Sequence, residues 1–426
     1  MKIADIYQKF NSCSSISTDT RKLHQDCMYF ALKGDNFDGN KFVQKAFDGG
    51  AKYCVIDDIN ANINANCILV EDVLTTLQDL ATHHRNIIKI PIISLTGSNG
   101  KTTTKELINA VLSTTFKVKA TKGNLNNHIG VPLTLLSFTK DLDFGIVEMG
   151  ANHKNEIKFL CSIAQPDYGL ITNFGKAHLE GFGSIEGVIK AKSELYNFLK
   201  QNNKIAFINN NDEKQVQQIG DYNNIITFGS DLNNNCVVKF KNANPYVSLN
   251  YNNTLIESQL IGDYNYGNIA VAVAIGNYFK VNTECIKEAI ENYQPDNNRS
   301  EIIEKESTEI ILDAYNANPT SMLAALKNIK QLQAENKYLF LGDMFELGSD
   351  AEKEHQDIVN FIEINFKNNV YLIGKNFYKT TSKEGIQKFS SFEDLKPLLQ
   401  DLQLKNSTVL IKGSRGMALE RILELL

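Results

Sequence analysis

One stretch restricts the fold of this chain more than any other: residues 90–106, Ile-Pro-Ile-Ile-Ser-Leu-Thr-Gly-Ser-Asn-Gly-Lys-Thr-Thr-Thr-Lys-Glu. An apolar run, Ile90 to Leu95, passes into a short glycine-bearing loop, Thr96 to Gly100. That loop opens onto Lys101, Thr102 and a helical pattern carrying Leu107, Ile108, Val111 and Leu112. Strand, loop and helix in that order make an anion cradle. Glycines let backbone N–H groups turn toward a phosphate, the helix N-terminus adds partial positive charge, the lysine reaches phosphate oxygens, and the threonine hydroxyl can ligate Mg²⁺. The general pattern GxxxxGK[ST] would place its first glycine at Leu95, whereas here it stands at Gly97. A bare GxxGKT also describes surface turns, so the β-to-α setting carries the reading of Gly97, Ser98, Asn99, Gly100, Lys101, Thr102 and Thr103 as a nucleoside-triphosphate loop.

The rest of the chain limits the alternatives. Its 426 residues suggest three domains. With 42% hydrophobic and 22% charged residues the composition is that of a globular protein. No apolar stretch approaches the roughly 18 residues needed to cross a bilayer, so membrane insertion is not expected. The first ten residues alternate charged and apolar side chains without the apolar core of a secretory signal, which predicts a cytoplasmic protein. Seven cysteines lie scattered without CxxC pairs, predicting neither disulfides nor a zinc cluster. A net charge of −5 and the lack of a basic run exclude nucleic acid as the expected partner.

Residues 1–85 read as a small α/β unit with strands at Cys27–Leu32, Tyr53–Asp57 and Cys67–Val70. Two polar patches interrupt it, one with Ser17, Asp19, Thr20 and Arg21, the other running from Gly34 through Asp38 to Gly39. Both suit ordinary turns, and both suit an anion held by Arg21 and loop amides. Residues 86–297 show continuous apolar strands separated by helices, the mark of a parallel sheet covered on both faces. The stretch 121–136 holds Asn126 and Asn127 among many polar side chains, which points to a substrate loop ahead of a helix begun near Pro132. Strand 144–148 ends in Glu148, where an acidic Mg²⁺ ligand would face Thr102. Strand 168–172 delivers His178 to the same rim, as a metal ligand or a helix cap. One helix from Ser184 to Leu199 carries Lys192, a residue type usually just solvated. Residues 236–261 alternate as antiparallel strands, and Asn265 and Asn268 open a small-residue helix as caps or as contacts to a base edge. The pattern breaks near residues 294–300. A third, doubly wound unit over 298–426 follows, with Asp313, Tyr315, Lys412, Ser414 and Arg415 at strand ends.

Taken in order, the phosphate loop, Glu148-Met-Gly, Asn173-Phe-Gly-Lys-Ala-His-Leu-Glu, Ala191-Lys-Ser-Glu-Leu, Asp313-Ala-Tyr-Asn-Ala-Asn-Pro and Lys412-Gly-Ser-Arg make the chain resemble the Mur ligases over nearly its whole length. The resemblance implies a three-domain α/β fold: a small N-terminal uridine-nucleotide domain, a central P-loop ATPase domain and a C-terminal Rossmann-like domain. It further implies an ATP-dependent amide ligase of peptidoglycan precursor synthesis, acting through an acyl phosphate. Among its members, those joining D-alanyl-D-alanine to UDP-N-acetylmuramoyl-tripeptide resemble this chain most. Carried over by position, the resemblance implies ATP phosphates on residues 97–103 and two Mg²⁺ ions. One ion would sit on Thr102 and Glu148, the other on His178 and a carbamylated Lys192. Asn265, Asn268, Arg299, Asp313 and Tyr315 would border adenine and ribose. Ser17, Asp19, Thr20, Arg21, Gly34 and Asp38 would hold UDP, Asn126 and Asn127 the sugar-peptide, and Lys412, Ser414 and Arg415 the dipeptide. The chain departs from the family in having Tyr264 where a histidine is frequent, and it has no Asp-Asn-Pro-Arg motif in its last domain. A monomer is expected. The competing expectations are a folylpolyglutamate synthase-like ligase, a different step of the same family, or a P-loop protein that binds ATP without joining substrates.

Overall fold

A helix that runs past the expected end of the first unit organises the amino-terminal half. The computed structural model describes residues 2–295 and 298–426. Helix α1 (Ile3–Phe10) leads to a four-stranded parallel sheet, in the order β1 (Ile16–Ser17), β2 (Cys27–Phe30), β3 (Ala51–Ile56), β4 (Cys67–Leu69). Helix α2 (Val73–Ile88) follows. Asp72 starts it by accepting a hydrogen bond from the Thr75 amide (2.6 Å), and Lys89 ends it in a left-handed conformation. Its buried side chains Val73, Leu77, Leu80, Ala81, His84 and Ile88 recur at three- and four-residue steps, the stripe an amphipathic helix must bury. That stripe belongs to one apolar cluster with Ile6 of α1, Met28 and Ile68 of the first sheet and Leu135 and Leu160 of the central unit. The division expected at 85/86 therefore falls inside α2, because this helix is packed from both sides.

The central sheet has nine strands. In chain order they are β5 (Ile92–Thr96), β6 (Val118–Ala120), β7 (Phe144–Glu148), β8 (Tyr168–Ile171), β9 (Ile205–Asn209), β10 (Ile225–Gly229), β11 (Cys236–Ala243), β12 (Tyr246–Tyr251) and β13 (Thr254–Ile261). In space the order is β13-β12-β11-β10-β9-β8-β5-β7-β6. All pairs are parallel except β11–β12 and β12–β13, so the alternating stretch 236–261 does extend a parallel sheet by antiparallel strands. Strands β5 and β7 are buried at every residue, as continuous apolar runs require. Helices α3 (Lys101–Ser113), α4 (Gly130–Leu136), α5 (Ile185–Lys192), α6 (Glu194–Gln201) and α7 (Tyr266–Tyr278) belong to this unit, with Ala270, Ala272 and Ala274 of α7 buried beside Leu107 and Val111 of α3. The single helix expected from Ser184 to Leu199 is broken at Ser193. Glu194 accepts from the Asn155 and Lys158 amides (2.8 and 2.9 Å), and the Ser193 hydroxyl donates to Gln218 (3.2 Å), so polar side chains at the break serve neighbouring segments.

The third unit carries β14 (Glu301–Lys305), β15 (Thr308–Asp313), β16 (Asn336–Gly342), β17 (Val370–Ile373), β18 (Ile386–Phe389) and β19 (Ser407–Lys412). They lie in the order β14-β15-β19-β16-β17-β18, parallel except for β14–β15. Edge strands β14 and β18 and the short β6 had no distinct sequence signal. The boundary expected at 297/298 touches Asn297, which lies outside the described residues. Helices α8 (Pro319–Gln331) and α9 (Ala351–Asn365) flank this sheet. All seven cysteines are free, and four of them are buried. No helix among the described residues is long and apolar enough to cross a membrane.

His84 joins the units through neutral hydrogen bonds. Its Nδ1 meets the Tyr7 hydroxyl (3.1 Å) and its Nε2 the Phe138 carbonyl (2.9 Å), and burial lowers its pKa. A base whose folded-state pKa is depressed binds its proton more readily when unfolded. Stability is therefore complete above the unfolded value of about 6.5 and is lost as pH falls below it. Urea midpoints are expected to drop between pH 7.5 and pH 5.5, and His84→Gln is expected to flatten that drop. An unchanged pH slope in the variant would contradict the assignment.

Candidate active site

Strands β8, β5 and β7 are neighbours, and their carboxyl ends carry 172–173, the phosphate loop and Glu148 to one rim. That rim is where open parallel sheets bind ligands. A cavity of about 960 Å³ opens there, walled by the phosphate loop, by residues around Asn126, Glu148 and His178, by the start of α7, and by the third unit from Arg299 to Arg415.

The loop geometry follows from two glycines. Gly97 has φ +147°, and a Cβ there would collide with the Thr172 hydroxyl. Gly100 has φ +77°, and a Cβ would lie 2.5 Å from Asn268 Oδ1. Side chains and carbonyls of the next strand hold the loop in place. The Asn99 carbonyl accepts from the Thr172 hydroxyl (2.6 Å) and Asn173 Nδ2 (3.0 Å), the Asn99 amide donates to Asn173 Oδ1 (3.2 Å), and Ser98 Oγ donates to the Gly175 carbonyl (2.7 Å). Lys101 folds its ammonium over the Gly97 and Ser98 carbonyls (2.8 and 3.3 Å). Burial lowers its pKa, partly offset by Glu148.

Thr102 Oγ1 donates to Glu148 Oε2 (3.0 Å), and Asn126 Nδ2 to Glu148 Oε1 (2.7 Å). Glu148 is 1% exposed, yet both its carboxylate oxygens meet only neutral donors, and it forms no ion pair among the described residues. A buried carboxylate of this kind beside a threonine hydroxyl is an oxygen donor set suited to Mg²⁺. His178 lines the same cavity and puts Nδ1 against the Glu346 carboxylate of the third unit, a contact that lowers the Glu346 pKa. It stands at the N-cap position of the short helix Leu179–Phe182, but its side chain makes no cap hydrogen bond.

Lys192 is fully buried behind that wall. Its ammonium donates to the Ala151 carbonyl (3.1 Å) and lies 5.2 Å from the Phe182 ring centroid. Burial and the nearby Lys101 push its pKa well below the usual lysine value. This is not the solvated lysine that helical position alone suggested. As an ammonium it cannot ligate a metal; as a neutral amine it is a nucleophile.

Asn265 and Asn268 do not cap α7. Asn265 Nδ2 donates to the Ile261 carbonyl (2.8 Å), Asn268 Nδ2 to Asn265 Oδ1 (2.8 Å), and Thr104 Oγ1 of α3 to Asn268 Oδ1 (3.0 Å). The pair ties α7 to the phosphate-loop helix while both lie on the cavity wall. Across the cavity the Arg299 guanidinium stacks on Tyr315 (3.6 Å to the ring centroid), its Nε is buried without a partner among the described residues, and Arg415 approaches the same ring at 5.6 Å. Asp313 receives the Lys412 ammonium at 2.5 Å and the Ser300 amide at 3.2 Å. Ser414 Oγ accepts from the Phe345 amide (2.8 Å) and donates to the Ala317 carbonyl (3.2 Å). Lys412 and Ser414 thus shape the wall from within, and of the three residues expected to meet a dipeptide only Arg415 is exposed. Tyr264 bonds Ser300 (3.1 Å) across the second boundary.

The residues expected to hold UDP are not brought into this cavity. Ser17 ends β1 and Asp19, Thr20 and Arg21 follow it, while Gly34 and Asp38 sit in a hairpin (Lys33–Gly34, Phe37–Asp38) beyond β2; β1 and β2 are paired neighbours. Arg21 is bound to the Asp19 carboxylate, and Asp38 caps the turn at Asn40. Asn126 faces Glu148, and Asn127 lines the cavity while accepting the Ile129 and Gly130 amides (3.1 and 2.8 Å). Sequence reading had no role for Asn173, Lys176, Asn318, Glu346 and Glu354. The last four make contacts between the central and third units.

Comparison with known proteins gives a concordant picture. Residues 95–276 match the Mur ligase middle domain and residues 298–415 the Mur ligase glutamate ligase domain. The chain is 36% identical over 424 residues to the UDP-N-acetylmuramoyl-tripeptide–D-alanyl-D-alanine ligase of Bacillus subtilis, covering 96% of this chain and 92% of that protein. Its fold is similar to the crystal structure of MurF from Acinetobacter baumannii (TM-score 0.86, 28% identity, covering 99% of this chain and 98% of that one). It is similar as well to the MurF ligase from Thermotoga maritima in complex with ADP (TM-score 0.85, 26% identity, 98% and 97%).

A buried, unpaired ammonium costs stability that an apolar isostere does not. Lys192→Met is expected to raise the stability of the folded chain by about 1–3 kcal/mol in urea unfolding. Destabilisation would show that the ammonium is better compensated than its single hydrogen bond indicates.

Proposed function

The chain belongs to the Mur ligase family, and from that premise we propose that it is an ATP-dependent ligase of peptidoglycan precursor synthesis, joining D-alanyl-D-alanine to UDP-N-acetylmuramoyl-tripeptide in the cytoplasm. The observation that carries the reading is the meeting, on one cavity, of the phosphate loop, the Thr102–Glu148 pair and the Arg299–Tyr315–Arg415 wall of the third unit. The near-full-length likeness to ligases named for that reaction supports the substrates.

A carboxylate is a poor acyl donor. The γ-phosphoryl of ATP passes to the terminal carboxylate of the tripeptide, forming a new P–O bond as the β–γ bond breaks and ADP leaves. Residues 97–103 hold the phosphates, and Lys101, in exchanging its loop carbonyls for phosphate oxygens, offsets the charge that develops. The dipeptide amine then attacks the acyl carbon, and phosphate departs with the electrons of the C–O bond. Thr102 and Glu148 would hold one Mg²⁺, which supplies charge neutralisation on the phosphates. His178 would contribute to a second, together with Lys192 once CO₂ has converted its amine to a carbamate. The depressed pKa of Lys192 favours that modification, because only the neutral amine reacts. Arg299, Tyr315, Asp313, Asn265 and Asn268 border the nucleotide, Arg415 meets the dipeptide, and the loops after β1 and β2 hold UDP. The units divide near 89–91 and 294–300, one reactant on each, and the cavity between the second and third keeps the acyl phosphate from water. A monomer suffices for this arrangement.

Two measurements test the reading. Phosphate release is expected only when ATP, the UDP-muramoyl tripeptide and D-alanyl-D-alanine are all present; release without the dipeptide, or with folate and glutamate in place of both partners, would overturn it. Lys101→Ala and Glu148→Ala are each expected to lower kcat by about 10³-fold with unchanged circular dichroism. Near-normal turnover by either would remove the assigned roles.

A further inference from the structure

Among the described residues, one side chain of the third unit hydrogen-bonds to the phosphate loop. Asn318 is the N-cap of α8, its Oδ1 accepting from the Ser321 amide at 2.9 Å, with Pro319 in the first turn. Its other side-chain atom, Nδ2, donates to Asn99 Oδ1 at 2.7 Å, a bond between residues 219 positions apart. The backbone of Asn99 is fixed from its own unit by Thr172 and Asn173, so its side chain is fixed from the other unit. Asn99 Nδ2 is buried and has no partner among the described residues, so within them the Asn318 bond is the only one its side chain makes.

Neighbouring contacts line up along the same seam. The Lys176 amide donates to Thr320 Oγ1 (2.9 Å), and the Lys176 ammonium reaches Glu354 of α9 at 2.5 Å, where Glu354 is only 5% exposed. A Cβ at Gly175 would lie 2.9 Å from Asn99 Nδ2 and 3.1 Å from Thr320, so the two units approach as closely as glycine allows.

We propose that Asn318 is a positioning residue for phosphoryl transfer: one amide caps α8 and, through Asn99, holds the phosphate loop, so the loop reaches its working geometry only with the third unit seated. The inference rests on the ligase reading above. The residue type is what the double task requires. Serine, threonine and aspartate also cap helices, but their side chains do not offer an acceptor to Ser321 and an N–H to Asn99 at the same time.

The test uses the full-length chain with Asn318→Ser, Asn99→Ala and the double variant. Serine keeps the cap, and alanine at 99 leaves every backbone bond of the loop in place. Each single change is expected to lower kcat for ligation about tenfold with the KM for the dipeptide changed less than twofold. The double variant is expected to be no slower than the slower single, because both remove the same bond. Singles that multiply to about a hundredfold loss in the double variant would overturn the proposal. A second readout does not need turnover. Hydrogen exchange at amides 97–101 is expected to quicken about tenfold in Asn318→Ser while amides 322–331 stay unchanged, and unchanged loop exchange would overturn the proposal as well. Should the unaltered chain fail to ligate, the ligase reading falls, and the exchange result alone decides the role of Asn318.

Discussion

A loop that must offer its backbone N–H groups to a phosphate cannot spend them on its own hydrogen bonds, and the rest of this structure follows from how that problem is solved. The Asn99 carbonyl, the Ser98 hydroxyl and the Asn99 amide are all tied to residues 172–175 after β8. Gly97 lies against Thr172, and Gly100 against Asn268 of α7. Thr104, four residues beyond Gly100, binds the same Asn268. Strand β8, helix α3 and helix α7 therefore act as three walls of one mould, and the adjacent order of β8, β5 and β7 makes the mould possible.

The parts of this arrangement set by local chemistry were legible in the chain. Apolar runs announced β5, β7 and β8, and the switch from strand to helix at Gly100 and Lys101 announced the loop. Glu148 at a strand end announced the acidic partner of Thr102, which lies 3.0 Å from it. What was not legible depends on distant segments meeting. Helical position cannot tell a solvated lysine from Lys192, whose environment is made by Ala151 and Phe182. Asn265 and Asn268 suited either helix caps or contacts to a base edge, and their place at a helix start did not separate the two. Their amides are instead taken by Ile261, Thr104 and each other. Asn318 had no assigned role: its cap of α8 and its bond to Asn99 emerge only in the fold, the second because nothing local signals a partner 219 positions away. The continuous apolar pattern of 184–199 hid the break at Ser193, since only the hydrogen bonds of Ser193 and Glu194 mark it.

The site also concentrates polar groups that a stability-optimised interior would avoid. Lys192 is buried with one hydrogen bond, Arg299 Nε has none, and Glu148 has neutral partners only. Each is costly in isolation, because a buried charge without a counter-charge forgoes several kcal/mol of hydration. Glu148 and Arg299 line one cavity, and Lys192 lies buried behind its wall. Lys412, equally buried and lining the same cavity, differs in having a counter-charge, Asp313 at 2.5 Å.

The junctions between units differ in kind, and the difference bears on how reactants enter. The first and central units share α2, whose buried stripe packs into a continuous apolar cluster; separating them would expose Leu77, Leu80 and Ala81 at about 25 cal/mol per Å². Around the cavity, the contacts from the central to the third unit are polar: Asn99 to Asn318, Lys176 to Thr320 and Glu354, His178 to Glu346, Tyr264 to Ser300. Polar bonds of this kind exchange for water at a net cost of about 1 kcal/mol each. Polar bonds thus hold the seam around the cavity, while apolar side chains of the third unit such as Met322, Met344 and Leu347 belong to the same apolar cluster as Leu179 and Phe182 of the central unit. A phosphate loop bonded across that seam through Asn99 and Asn318 is exposed to the seating of the third unit in a way that it is not exposed to the first unit.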